Sequence, residues 1–182
     1  MGEIMEQLLD IQILIWLFPI LFIFHDFEEI IMMEKWLNKY SNVLYEKLPK
    51  KLADKVIKQF SMSTAQFAVA VVIIFLFVSG STIMAIQSLN ERPFGNIYIF
   101  TIVMLTFFLH AFTHIGQSLL FHSITPGAFT SIIIVIPYSL VLFHTLLAYQ
   151  IITWNIIFIC LPFVFLFIPV ALFAHEIGRR VG

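Results

Sequence analysis

The chain has 182 residues, 60% of them hydrophobic and 12% charged, with a net charge of -1 and a mean hydropathy of +0.98. This composition excludes an ordinary soluble domain and fits one membrane domain spanning residues 1–182. Near-neutral charge gives no argument for nucleic acid, and a lone Cys160 excludes both an intrachain disulfide and a cysteine-rich metal site.

Five apolar spans are predicted, at about 8–33, 60–89, 97–121, 128–150 and 156–177, so the expected fold is an all-α transmembrane helix bundle. The acidic start, Met1–Asp10, lacks the basic region and small-residue cleavage site of a secretory signal, so the first span is expected to be retained. Its apolar run, Ile11–Phe24, would rise only about 21 Å as a helix, short of a hydrocarbon core about 30 Å thick. The span must therefore continue through His25-Asp26-Phe27-Glu28-Glu29 to about Met33. An ionised side chain near mid-bilayer costs roughly 2.5 to 3.5 kcal/mol, several times the roughly 0.3 to 0.6 returned by one Leu or Ile. A metal ion or a proton-coupled partner is the expected compensation.

Residues 34–59 hold seven of the ten basic residues, while Trp36, Leu37, Tyr40, Val43, Leu44 and Leu48 recur at helical spacing among the lysines. Two readings fit: an amphipathic segment lying on the membrane surface, or a loop whose lysines only set topology. Pro49 is expected to start a helix that runs on into the second span. Arg179 and Arg180 follow the fifth span, and an odd number of crossings puts both basic clusters on one side. By the positive-inside rule that side is cytoplasmic, which places the N-terminus outside and the C-terminus in the cytoplasm of a cell (inner) membrane protein. Four or six spans would separate the two clusters across the bilayer. The turn around Asn90–Asn96 carries the expected breakers, and Pro19, Pro137, Pro162 and Pro169 can each bend a span.

With about 100° between successive residues of a helix, His25, Glu28 and Glu29 share one face of the first span, and Asp26 points about 100° away toward a different neighbour. In the third span His110 and His114 are four apart, with Thr106, Thr113 and Gln117 near the same stripe. Counted at about 1.5 Å per residue, His25 and Glu29 lie about 15 and 9 Å below Lys35, and His110 and His114 about 18 and 12 Å below His122. The two sets meet at one depth, with His175 about 6 Å in from Arg179 at the mouth of the same half. His144 belongs nearer the opposite side, and His122 sits at a helix end.

Imidazole and carboxylate donors without thiolates suit a divalent metal, Zn first and Fe or Mn next. The expected metal ligands are His25, Glu29, His110 and His114, with His175 as a further ligand or second metal position. Glu28 is the expected base toward metal-bound water, or an outer partner of the ligands, and Glu176 a substrate-side acid. The competing structural reading has the acids capping the inner end of the first helix and pairing with Lys35 or its neighbours.

The HDFEE pentad in the first span of a small multi-span protein resembles the signature of the HXXEE-motif family of bacterial membrane proteins, through His25, Glu28 and Glu29. Thr125-Pro126-Gly127 also fits a pattern of that family. The resemblance implies a shared polar site and supplies no reaction. Function is therefore read from the residues: a metal-dependent membrane hydrolase or transferase acting on a lipid, isoprenoid or membrane-embedded substrate from within the bilayer. A proton- or cation-coupled carrier or solute-binding subunit would use the same cluster; the lack of an inverted repeat speaks against it. A haem protein with paired axial histidines is disfavoured by the adjacent acids. Kinship with the glutamate-dependent prenyl-protein peptidases is disfavoured because Met33 replaces their basic residue and His110 replaces a Phe.

Overall fold

The computed structural model describes the backbone of residues 2–181 and the side chains of residues 8–181, and every regular element in it is helical. Six helices follow in chain order: α1 (Gly2–Lys47), α2 (Lys50–Phe60), α3 (Thr64–Leu89), α4 (Ile97–Phe121), α5 (Ala128–Ala148) and α6 (Trp154–Arg180). All but α2 are long and apolar enough to cross a membrane, so the chain is a multi-pass membrane protein. Short connections make successive spans antiparallel.

The helix that carries the first span runs on past Met33. α1 is continuous for 46 residues, about 69 Å of helix and more than twice the hydrocarbon thickness, so its last turns stand beyond the membrane. Nothing in the sequence stops it before Pro49, which disfavours helical backbone at Leu48. α2 then folds back from Pro49 along the end of α1, which joins the 34–59 segment into a helical hairpin. Leu37 and Leu44 of α1 are buried together with Ala53 of α2 and Phe121 of α4, and the Trp36 indole N–H donates to Ser123 Oγ at 3.2 Å. Part of the apolar stripe among the lysines thus packs against protein; periodicity gives the stripe but does not say whether lipid or another helix covers it.

The helix from Pro49 does not run on into the second span: α2 ends at Phe60 and α3 starts afresh at a capping box, with Ser63 Oγ accepting from the Gln66 N–H and the Gln66 side chain accepting from the Ser63 N–H. Glu34 of α1 fastens the same start, taking hydrogen bonds from the Thr64 N–H at 2.7 Å and hydroxyl at 2.6 Å. α5 and α6 are irregular where proline removes a donor. A π-helical stretch, Ser131–Val135, precedes Pro137, and a 3-10 stretch, Leu161–Leu166, contains Pro162.

The end of the bundle away from the basic residues is a close-packed core. Ile15, Phe18, Phe100, Met104 and Leu142 are inaccessible to solvent. The Phe18 ring meets the edges or faces of Phe100 and Phe107 at centroid distances of 5.6 and 5.4 Å. The Tyr138 hydroxyl there donates to Leu14 O at 2.8 Å. α6 joins α3 closely near Gly178, where a Cβ would collide with Gln66 O, but Phe163, Phe165 and Leu166 in its middle stay exposed.

Candidate metal centre

α1 and α4 cross so that the HDFEE turn faces the His110–His114 turn. Glu29 Oε1 lies 2.7 Å from His114 Nε2 and 3.3 Å from both His25 Nε2 and His110 Nε2. The His110 and His114 Nε2 atoms are 2.8 Å apart. One ligand atom from each of the four residues falls within 4.8 Å of all the others. A tetrahedral shell with metal–ligand bonds of about 2.0 to 2.1 Å has edges of about 3.3 Å, so the separations of 2.7 to 3.3 Å around Glu29 and between His110 and His114 are close to those of a metal shell. His25, Glu29 and His114 are buried, and the His110 side chain keeps 46% exposure.

The proton arrangement around His25 is set from behind. Glu28 turns away from the four-residue cluster and sits at the start of α5, where its oxygens accept from the N–H of Phe129 at 3.2 Å and of Thr130 at 2.7 Å. A helix N-terminus presents unpaired N–H groups and a partial positive charge, so a carboxylate is at home there. The Thr130 hydroxyl also donates to Glu28, at 2.6 Å. That hydroxyl therefore has only lone pairs left for His25 Nδ1 at 2.8 Å, and Nδ1 must carry the ring proton. His25 Nε2 is left facing the Glu29 carboxylate at 3.3 Å, buried and without a hydrogen-bond partner. A nitrogen and a carboxylate oxygen buried face to face call for a cation or a proton between them, and a histidine ligand oriented by a hydrogen bond at its other nitrogen is the usual arrangement at a metal.

The connection 122–127 closes the site. Thr125 is buried, its hydroxyl donating to His114 O at 3.0 Å and its N–H donating to Ser118 Oγ at 3.0 Å. Gly127 has φ +79°, and a Cβ there would come within 2.8 to 2.9 Å of His114 Cε1, His114 Nε2 and Glu29 Oε1. Only glycine meets both demands.

On the other side lies a cavity of about 400 Å³ between α1, α3, α4 and α6. Its walls are mostly aromatic and aliphatic, with His25, Asp26, Glu29, His110 and His175 among the few polar groups.

Four of the expected site residues, His25, Glu29, His110 and His114, are thus brought together, and three are placed elsewhere. Glu28 is engaged at α5, joined to His25 through the Thr130 hydroxyl in the position of an outer partner and not of a base facing a metal-bound water. His175 lines the cavity but stands outside the four-residue cluster, its Nδ1 held 2.7 Å from Gln59 Nε2 and its ring between Phe60 and Phe67. Glu176 is paired with Arg179 at 3.1 Å and Arg180 at 2.9 Å on its own helix, because an (i, i+3) and (i, i+4) arginine pair reaches it first. Among the described residues neither Glu28 nor Glu29 pairs with Lys35. His122 ends α4 in a left-handed conformation, and His144 is exposed on α5. Sequence reasoning missed Thr130; its signal is a hydroxyl residue in the first turn of a helix that opens on Gly127.

A family model described as protein of unknown function with HXXEE motif matches residues 16–142. No curated protein and no solved structure matches the chain.

Proposed function

The chain belongs to the HXXEE-motif family, and from that premise we propose that it is a metal-dependent integral membrane enzyme, a hydrolase or transferase acting on a lipid, isoprenoid or other membrane-embedded substrate. The observation that carries this reading is the convergence of three imidazole Nε2 atoms and one carboxylate oxygen within 4.8 Å, with His25 Nε2 buried and without a hydrogen-bond partner. Zn²⁺ is the first choice for such nitrogen and oxygen donors, with Fe or Mn as alternatives. A metal there would act as Lewis acid and lower the pKa of bound water toward about 7. The protein's own part is to hold the ligands in register through Thr130 and Gly127 and to leave one side open. His110 is the ligand on that side, since its exposed ring also lines the cavity. A substrate reaching the site would travel through apolar surroundings, which suits a membrane-dissolved molecule better than a hydrophilic one.

The placement follows from charge. With the lysines of 35–58 and the terminal arginines on one side, the N-terminus lies outside, the C-terminus is cytoplasmic, and the cluster sits in the inner half of the bacterial inner membrane.

Elemental analysis of protein purified without chelator tests the reading, with about one metal per chain expected in the wild type. Glu29→Gln and His114→Ala should lose it while still eluting as folded protein. Wild type that stays metal-free after reconstitution with Zn, Fe and Mn, or retention of the metal by both variants, would overturn the assignment. A carrier using the same cluster would bind or move its ligand without forming product.

A further inference from the structure

Asp26 is only 6% exposed, and its Oδ2 has no hydrogen-bond partner. Nothing in the mechanism above uses it. It lies one residue from His25 yet faces a different neighbour, forming part of the wall of the 400 Å³ cavity. Leaving a carboxyl oxygen buried and unpaired is costly, because the group gives up water and receives no donor in return. No side chain of the wall donates to it, and most of them, such as Phe22, Val71, Phe107 and Ile168, cannot.

The cavity has the dimensions of a ligand site, toward the small end of the roughly 300 to 1,000 Å³ range for small molecules. Along α3 its wall runs from Phe67 to Val78, about 16 Å measured along the helix axis. It is therefore tall and narrow. One of its walls is the middle of α6, through Val164, Phe165 and Ile168, the stretch with 3-10 backbone and exposed neighbours.

We propose that this cavity binds a single-chain amphiphile whose polar end donates a hydrogen bond to Asp26, with its unbranched tail lying along α3 between α4 and α6. The polar end then lies beside His25, Glu29 and His110, so the amphiphile is the substrate class of the metal centre. As a substrate assignment this rests on the metal reading; as a binding site it stands without it. Alcohols and amines share the required donor, whereas an ether of equal length lacks it.

Native mass spectrometry of the purified protein with hexadecanol, hexadecylamine and hexadecyl methyl ether tests the proposal. The alcohol or the amine should bind at least about tenfold more tightly than the ether, the equivalent of one good hydrogen bond. Asp26→Leu should erase that preference, and Ala171→Trp, which fills the cavity from α6, should weaken all three. Equal binding of alcohol, amine and ether by the wild type would overturn the proposal whatever the variants do, as would undiminished binding by Ala171→Trp. Metal content is read in the same samples. Metal-loaded protein without the preference defeats this inference alone, and metal-free protein with the preference defeats the metal reading alone.

Discussion

The two ends of this bundle are buried in opposite ways. Around Phe18 the interior is mostly apolar, interlocked by aromatic edges, with the Tyr138 hydroxyl satisfied by Leu14 O. Around Glu29, on the same helix and three turns away, the interior holds three imidazoles, two buried carboxyls and an open cavity. Packing accounts for most of the first end, where complementary shapes suffice. Packing does not explain the second, where ionisable groups, His25 Nε2 and Asp26 Oδ2 among them, are buried without hydrogen-bond partners. Groups that cost this much to bury are kept because of what they hold.

The contrast can be broken from either side, and the largest effect is expected at the polar end. His114→Ala removes the ligand nearest to Glu29 and should abolish metal retention, measured by elemental analysis, with little loss of folded protein. Phe18→Ala should do the reverse, lowering stability by about 3 kcal/mol through lost packing in a detergent unfolding titration while metal stoichiometry is unchanged. Thr130→Val keeps the shape of the side chain but deprives His25 Nδ1 and Glu28 of their shared hydroxyl. Metal affinity should fall by roughly 10- to 100-fold, the usual consequence of removing the group behind a histidine ligand, and competition with a chelator would read it. Acidification should release the metal from wild type, because imidazole ligands must shed their protons to bind; the dissociation midpoint measured against pH should lie higher in Thr130→Val, whose site holds the metal less tightly. The smallest effect is expected for His144→Ala, exposed on α5 and remote from the cluster: no change in either stability or metal.

Adjacent glutamates show how far sequence reading reached. Helical geometry put His25, Glu28 and Glu29 on one face and matched their depth to His110 and His114, and the four-residue cluster is where that reasoning placed it. The reading gave Glu29 to the ligands and Glu28 to the base or an outer partner, but the same geometry could not say which of those two roles Glu28 takes. The 100° between them sends one to α4 and the other to the start of α5, and the position of α5 is a fact about packing. His175 and Glu176 are a similar case. Their depth was legible, but Gln59 comes from α2 and the two arginines compete locally, and neither is visible as spacing. Asp26 was correctly turned toward another neighbour, yet the neighbour is a cavity, which no residue pattern announces.

The sequence by itself determined that this is a helical membrane protein of five spans with ionisable groups inside them, because hydropathy, helix rise and turn angle are properties of one segment at a time. Tertiary structure alone decided which of those groups share a site. A metal shell and an empty space both depend on distances between helices, and those are set by the packing of every side chain in between.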